Sequence, residues 1–254
     1  FILCAEVLRV VELYLIRHAQ STNNALPDQT LRVEDPRLTD MGWQQTRRLA
    51  DYLAAQRLPA TEAAHLATNG SNEFNQFNQQ GYSFTRLLVS PMTRTLQTAQ
   101  VLADALGLIP EVWADIFEVG GIYLDYGGPI GEVGLPGRTR TDLQAEFPQA
   151  ILPDAIGEDG WWWGGRETRP ESLLRAGRVM ERLAVWAGTD ERICMMTHGA
   201  FSDRLLKVYG QQALDGVAYF LVNTAISRLD VPAAGRISIR YLNRCAHLPA
   251  DLLT

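Results

Sequence analysis

Cysteine is scarce in this 254-residue chain, and the three that occur, Cys4, Cys194 and Cys245, lie far apart. No Cys-x-x-Cys pair is present, so neither a zinc site nor a thiol redox motif is expected. Cys194 stands inside an apolar run and is predicted to be a small core residue. This cysteine usage suits a reducing compartment, and we predict a cytoplasmic location.

A long uncharged apolar run is also missing. The apolar stretch 1–16 contains Glu6, Arg9 and Glu12, which are too many charges for a membrane-spanning helix. The stretch has neither the basic start nor the small-residue cleavage site of a signal peptide. We therefore expect no membrane partner.

Positive charge is in deficit, because the formal net charge is −6. Nucleic acid is not expected as a partner, since its binding usually depends on basic patches. A small phosphorylated molecule is compatible with this balance, because a few local arginines can hold a phosphate. With 46% hydrophobic and 20% charged residues, the chain can bury a core without disulfides or metals.

Short apolar segments alternate with helical patterns along the chain. Strands are predicted at residues 10–16, 87–89, 111–117 and 193–196, with two or three more in 218–222, 225–229 and 237–241. Helices are predicted at residues 39–56, with Thr39 as N-cap, 92–106, stopped by Gly107, 170–187 and 201–209. This alternation predicts an α/β fold with three layers, in which helices cover both faces of a mostly parallel sheet.

Two segments lack periodicity. Residues 66–85 are rich in Asn, Gln, Gly and Ser and are predicted to be a solvated loop. Residues 118–169 gain Gly, Pro and Trp, and we predict that they form a cap inserted into a single domain that spans 1–254. The tryptophans at 161–163 favour a small hydrophobic cluster of the cap at least as strongly as a stacking platform.

Chemically active residues follow three of the predicted strands. They are Arg17-His18, then Ser90 with Arg94, then His198-Gly199. Because the carboxyl ends of parallel strands meet at one sheet edge, where ligands bind, we expect these residues to lie together.

These residue types suit phosphoryl transfer. A neutral imidazole such as His18 can attack phosphorus and form a phosphohistidine, which divides one hard displacement into two easier ones. The guanidinium groups of Arg17 and Arg94 could grip phosphoryl oxygens, and His198 could donate hydrogen bonds to the equatorial oxygens.

Two further parts of the site are predicted. Asn24 and backbone N–H groups near Gly199, at a helix start, could complete the phosphate cradle. The leaving oxygen needs a proton, and Glu118, at the end of the predicted third strand, is the leading candidate for the acid. No carboxylate stands at ligand spacing beside either histidine, so no metal site is expected.

The same segments resemble the motifs of a known family. They read Arg17-His18-Ala19-Gln20-Ser21-Thr22-Asn23-Asn24, Leu38-Thr39-Asp40-Met41-Gly42, Ser90-Pro91-Met92-Thr93-Arg94-Thr95-Leu96-Gln97-Thr98-Ala99 and Thr197-His198-Gly199. In this order, over residues 11 to about 230, they are similar to the motifs of the histidine phosphatase superfamily, which includes the cofactor-dependent phosphoglycerate mutases.

The resemblance implies a Rossmann-like, phosphoglycerate-mutase-like core with a variable cap, and chemistry that needs no metal. It makes His18 the phosphate acceptor and Glu118 the general acid. The other members of the phosphate pocket would be Arg17, Arg94 and His198.

The sequence departs from the family's pattern in two places. Ala19 stands where the family usually has glycine, which matters if that residue needs a positive φ. Glu118 is followed by Val119-Gly120-Gly121 in place of the Arg-His of the mutases. The second departure favours a phosphomonoesterase over a mutase, and a catalytically inactive phosphate-binding protein is the third hypothesis. Neither the substrate nor the oligomeric state can be read from the sequence.

Other polar residues are assigned no chemistry. His65 and His247 are expected to be surface or loop residues, and Arg47-Arg48 to be exposed on a helix. A further set of arginines is expected to be mostly solvated, although one or two of them could face the pocket: Arg138, Arg140, Arg166 and Arg169.

Overall fold

A computed structural model describes residues 10–56 and 81–254. Its strands are β1 (Val10–Arg17), β2 (Arg86–Val89), β3 (Pro110–Val112), β4 (Tyr123–Asp125), β5 (Glu132–Gly134), β6 (Arg192–Thr197), β7 (Ile226–Pro232) and β8 (Ser238–Arg244). Its helices are α1 (Thr22–Ala25), α2 (Asp40–Ala55), α3 (Thr93–Leu106), α4 (Arg140–Glu146), α5 (Arg169–Leu183) and α6 (Gly199–Tyr209). Short 3-10 turns lie at Gln29–Leu31, Ala114–Ile116, Ala184–Trp186 and Ala250–Leu252.

Six of the strands form one sheet, in the order β3-β2-β6-β1-β7-β8. The neighbours from β3 to β1 are parallel, whereas β7 runs antiparallel to β1 and β8 antiparallel to β7. The predicted α/β class with a mostly parallel, Rossmann-like sheet is therefore confirmed. Because β1, β2 and β6 are parallel neighbours, their carboxyl ends lie side by side at one edge.

Alternate residues of the central strands face two different helix layers. In β1, Tyr14 and Ile16 belong to the hydrophobic cluster that includes α2 and α3, while Leu13 and Leu15 belong to the cluster that includes α5 and α6. A strand buried on both faces reads as a nearly continuous apolar run, which is why 10–16 carries no polar alternation. Each fully buried side chain of this size contributes about 1.5–3 kcal/mol, so the two clusters hold the three layers together.

Two helix boundaries follow the sequence signals that predicted them. The Oγ1 of Thr39 accepts a hydrogen bond from the N–H of Gly42 at 3.0 Å and caps the start of α2. Gly107 follows α3 with a φ of +66°, a conformation that glycine adopts without steric cost. Both predicted boundaries are confirmed.

Two of the strand predictions are wrong in part. The third strand ends at Val112, because the chain then enters the 3-10 turn Ala114–Ile116. Residues 218–222 form no strand, since the N–H groups of Tyr219 and Val222 are bound by the side chains of Asp203 and Asn243. Apolar composition predicted both segments as strands, but strand pairing requires a neighbour with free backbone groups.

His247 is not a surface residue, although it does lie in a loop. Its Nε2 lies 2.9 Å from the Oγ1 of Thr224, and its ring centroid is 5.5 Å from that of Tyr52. Burial lowers the pKa of His247 to about 4. An isolated histidine in a loop carries no periodic pattern, so its burial could not be read from the sequence.

Two further local predictions are confirmed, and two others fall outside the described residues. Cys194 is a core residue and Arg47-Arg48 is exposed, as predicted. His65 and most of the predicted loop 66–85 lie outside the described residues. Within residues 10–56 and 81–254, none of the helices combines the length and apolar character needed to cross a membrane.

The segment 118–169 contains regular structure that its composition did not suggest. The strands β4 and β5 pair in an antiparallel hairpin, and α4 follows. The rings of Trp161 and Trp162 pack against Phe117, with centroids 5.6 and 4.7 Å away, whereas Trp163 is exposed. The first two tryptophans thus form the small hydrophobic cluster. That the segment acts as an inserted cap stays a prediction.

Candidate active site

Two histidines face each other at the carboxyl edge of the sheet. His18 follows β1 and His198 follows β6, and their ring centroids are 5.1 Å apart in an edge-to-face arrangement. Arg94, in the first turn of α3 after β2, donates from Nε to the Nε2 of His18 at 3.1 Å. Side chains separated by up to about 180 residues are therefore brought to one place by three parallel strand ends.

Hydrogen bonds fix the orientation of the His18 ring. Its Nδ1 lies 2.7 Å from the carbonyl oxygen of Ala19, so Nδ1 carries the proton and Nε2 keeps its lone pair. Asn223 supports the same residue, since its Nδ2 donates to the His18 carbonyl at 2.8 Å. Burial, together with the charges of Arg94 and Arg17, lowers the pKa of His18 well below its usual range. The imidazole is thus neutral at physiological pH.

His198 is oriented by a serine at the end of the neighbouring strand. Its Nε2 lies 2.8 Å from the Oγ of Ser90, which also accepts from the N–H of Met92 at 3.4 Å. The hydroxyl proton of Ser90 is therefore available to the imidazole, which leaves Nδ1 of His198 to carry its N–H. That Nδ1 is buried and has no partner within residues 10–56 and 81–254. Burial, with the charges of Arg94 and other cations nearby, lowers the pKa of His198 well below its usual range.

Arg17 keeps part of its guanidinium free. One Nη donates to the carbonyl oxygen of Leu221 at 2.6 Å, while the buried Nε has no partner in the part of the chain that the structure describes. Gly199, the first residue of α6, lies against this group, because a Cβ added there would stand 3.4 Å from the Nε of Arg17. Burial lowers the pKa of Arg17, and the charge of Glu118 opposes this lowering.

Glu118 lies at the start of α6 and not at the end of a strand. Its Oε1 accepts from the backbone N–H groups of Val119 at 2.8 Å and Phe201 at 3.0 Å, and its Oε2 accepts from that of Ala200 at 3.4 Å. The charge of Glu118 also opposes the lowering of the pKa of Arg94 by burial. A helix N-terminus favours a negative group at this position.

Asn24 is placed differently from the other predicted site residues. Its side chain is exposed, and its Oδ1 accepts from the N–H and the hydroxyl of Ser21 at 3.1 and 3.0 Å. The Nδ2 of Asn223 also lies 3.5 Å from this oxygen. Asn24 therefore holds the short helix α1 beside the pocket, and no contact joins it to the two histidines.

One departure from the family's pattern, and one glycine that matches it, can be judged in the fold. Ala19 is buried with a φ outside the positive range, so alanine replaces the family's glycine there without backbone strain. Gly42 is required for another reason, because an added Cβ would overlap the carbonyl oxygen of Gln20. The loop that carries His18 is thus packed directly on α2.

Asp35 is the site residue that sequence reasoning missed. Its carboxylate accepts from the N–H and hydroxyl of Thr93 at 3.0 and 2.6 Å and lies 3.8 Å from an Nη of Arg94. Burial raises the pKa of Asp35, and the charge of Arg94 opposes the rise. No periodicity or motif marks this loop residue. The sequence grouped Ser90 with the site because it follows a predicted strand, whereas no motif or periodicity marked Asn223.

The arginines of the segment 118–169, including the one at the start of α5, form ion pairs and hydrogen bonds with residues outside the pocket. Ion pairs join Arg138 to Glu146, Arg166 to Glu132 and Arg169 to Asp215, and Arg140 donates to the carbonyl groups of Pro153 and Ile156. In the part of the chain that the structure describes, no three His, Cys, Asp or Glu side chains cluster in a way that could hold a metal ion.

Solved structures with the same fold include several hydrolases. Mycobacterial hydrolase 1 superposes with a TM-score of 0.57 at 17% identity, over 94% of this chain and 100% of the other. A putative α-ribazole-5′-P phosphatase from Escherichia coli gives 0.57 at 18% identity, over 92% and 97%. The mycobacterial glucosyl-3-phosphoglycerate phosphatase gives 0.54 at 15% identity, over 93% and 100%. At these identities the likeness establishes the fold.

The sequence comparisons give a family. Among curated proteins no match is found. The sequence profile of the histidine phosphatase superfamily (branch 1) matches residues 13–67 and 64–244, which is most of the chain. The chain therefore belongs to the histidine phosphatase superfamily, as the resemblance of its motifs predicted.

Proposed function

We propose that this chain is a metal-independent phosphomonoesterase that works through a phosphohistidine on His18. The observation that carries the proposal is the pocket formed by two neutral imidazoles and two guanidinium groups, in which Arg94 contacts His18 and His198 faces it. Two guanidinium cations can offset the charge of a phosphoryl group, a task that a metal ion performs in other enzymes.

In the first step the Nε2 of His18 attacks phosphorus and the ester P–O bond breaks. Arg94 now donates to Nε2, so an entering phosphoryl oxygen would take over that donor and free the lone pair. Arg17 through its unpartnered Nε and His198 through its unpartnered Nδ1 would bind the other phosphoryl oxygens. Glu118, protonated on Oε2 at the start of the cycle, would give this proton to the leaving oxygen, and Oε2 is the better carrier because its single hydrogen bond is long.

In the second step water attacks the phosphohistidine and the P–N bond breaks. Glu118, now ionised, takes a proton from the water, and phosphate leaves with His18 neutral again. Hydrolysis is favoured over return of the phosphoryl group to the substrate because Val119 and Gly120 follow Glu118, where the mutases carry the Arg-His that helps hold phosphoglycerate. The named phosphatases of the same fold agree with this choice.

A small phosphorylated molecule is the partner we propose, and a cytoplasmic location stays a prediction. The test of the function is phosphate release from p-nitrophenyl phosphate by wild-type protein and by His18→Ala, with and without a chelator. We expect release by the wild type alone, unaffected by the chelator.

Two other outcomes would replace the proposal. Incubation with 3-phosphoglycerate and 2,3-bisphosphoglycerate that gave the isomer without free phosphate would identify a mutase. Binding of vanadate without any phosphate release would identify an inactive binding protein.

A further inference from the structure

A buried arginine stands behind the proposed acid. Arg175, in the middle of α5, is 2% exposed and forms a two-pronged ion pair with Glu167, from Nε to Oε1 and from Nη2 to Oε2, both at 2.7 Å. Its remaining Nη1 donates to the carbonyl oxygens of Asp115 at 2.7 Å and Phe117 at 3.1 Å. Phe117 is the residue directly before Glu118.

The same guanidinium contacts both residues whose positions decide where Glu118 lies. Its central carbon is 3.6 Å from the ring centroid of Phe117 and 4.5 Å from that of Phe201. The N–H of Phe201 is a hydrogen-bond donor to the Glu118 carboxylate. Arg175 therefore fixes the residue before Glu118 and the residue that binds its carboxylate oxygen.

Glu167, the partner of Arg175, holds the chain on the other side of Glu118. The N–H of Glu167 donates to the carbonyl of Gly120 at 3.1 Å, and the N–H of Gly120 lies 3.4 Å from Oε2 of Glu167. Residues 117 and 120 are thus both tied to one ion pair, and Glu118 lies between them. The two hydrogen bonds between Glu167 and Gly120 also join the two ends of the segment 118–169.

Stability alone is a weak reason for this ion pair. Removing two charges from water is costly, and apolar residues of similar volume often replace a buried pair without loss of stability. A guanidinium, in contrast, can hold a carboxylate and two carbonyl oxygens in one plane, which no apolar side chain and no lysine can do. The geometry suits a fixed placement of the neighbouring backbone.

We propose that Arg175, through its ion pair with Glu167, is the positioning residue that holds Glu118 at the leaving oxygen. This inference rests on the proposed function, because it assumes that Glu118 is the acid. Arg175 touches no reacting atom, and its charge also reaches His198, where it adds to the effect of burial in keeping that imidazole neutral.

The test compares two phosphate esters in a double-mutant cycle. Arg175→Lys keeps the charge but cannot reach Glu167 and both carbonyls, so we expect kcat/KM for glycerol 2-phosphate, a poor leaving group, to fall roughly 10- to 100-fold further than that for p-nitrophenyl phosphate. Glu118→Gln should show the same preferential loss. In the Glu118→Gln background, Arg175→Lys should change the ratio of the two kcat/KM values no further.

Two other variants keep the outcome decisive. Glu167→Gln weakens the same ion pair and keeps the size of the side chain, so it replaces Arg175→Lys if that variant does not fold. Arg228→Lys is the matched control, because Arg228 is another buried arginine in an ion pair, with Glu12 and Asp230. It should lower the melting temperature and leave the ratio of the two substrates unchanged.

The possible failures are distinguishable. Suppose that Arg175→Lys and Glu167→Gln lower kcat/KM equally for both substrates, so that the ratio stays unchanged as in Arg228→Lys. The ion pair is then structural and the inference is overturned. A change of ratio that persists in the Glu118→Gln background would also overturn it, since Arg175 would then act through another group. If Glu118→Gln itself lowers kcat/KM equally for both substrates, the assignment of Glu118 as the acid within the proposed function fails.

Discussion

Three buried histidines should make the stability of this protein depend steeply on pH. His18, His198 and His247 are all buried, and burial lowers the pKa of each below the usual 6.5. The perturbation is therefore a simple change of pH from 7 to 5, which protonates these imidazoles in the unfolded chain before it protonates them in the fold.

The directions of the pKa shifts set the sign of the pH dependence, and the pKa of His247 sets the size of its contribution. Between the folded and unfolded pKa values the unfolded chain binds more protons, so the stabilisation is complete above the unfolded pKa and is lost as the pH falls. For His247, the shift from 6.5 to about 4 corresponds to about 3.4 kcal/mol at about 1.36 kcal/mol per unit. The lowered pKa values of His18 and His198 act in the same direction and add to this loss of stability.

One group acts in the opposite direction. Burial raises the pKa of Asp35, so the folded state binds an extra proton there and gains stability as the pH falls. One carboxylate opposes three imidazoles, so we expect the free energy of unfolding to fall as the pH drops from 7 to 5.

The assay is urea unfolding at half-unit steps of pH between 5 and 7.5. His247→Gln is the matched variant, because the amide can still contact Thr224 Oγ1 and His247 makes no contact with the pocket histidines. It should reduce the slope by about 1.4 kcal/mol per pH unit and leave phosphatase activity unchanged. A free energy of unfolding that stays constant over this range would show that the imidazoles take up protons in the fold as readily as in the unfolded chain, and the lowered pKa values would have to be abandoned.

Three further predictions concern the pocket and its support. His18→Ala should abolish turnover while inorganic phosphate still binds through Arg17 and Arg94, as measured by calorimetry; retained turnover would refute the nucleophile. Ser90→Ala removes the hydroxyl that orients His198, so kcat/KM should fall about tenfold. The control Ser202→Ala removes a buried hydroxyl that has no partner among the described residues and should leave kcat/KM unchanged; equal losses would contradict the role of Ser90. Gly42→Ala places a Cβ onto the carbonyl of Gln20 and should lower stability by about 1–3 kcal/mol, and an unchanged melting temperature would show that this contact is not tight.

Much of the core could be predicted because its signals are local. The apolar run 10–16, the Thr39 cap and the Gly107 stop each depend on neighbours in the sequence, and each is where it was expected. The parallel direction of β1, β2 and β6 follows from the helices between these strands, and it is the reason why the sequence predicts His18 and His198 at one edge of the sheet.

Contacts between distant segments could not be predicted in the same way. The 3-10 turn before Glu118 places that residue at the start of α6, where its carboxylate meets the N–H of Phe201. Asp35 reaches Arg94 from a loop with no pattern, and Arg175 reaches the backbone of Phe117 from the middle of a helix.

The sequence by itself determined the fold class, the family and the residues at the strand ends, because periodicity and motifs are properties of short stretches of chain. Only the tertiary structure decided which groups contact the imidazole nitrogens, which carboxylate supports Arg94 and what holds Glu118 in place. The physical reason is that hydrogen bonds and buried charges are satisfied in space, by partners that no spacing along the chain specifies.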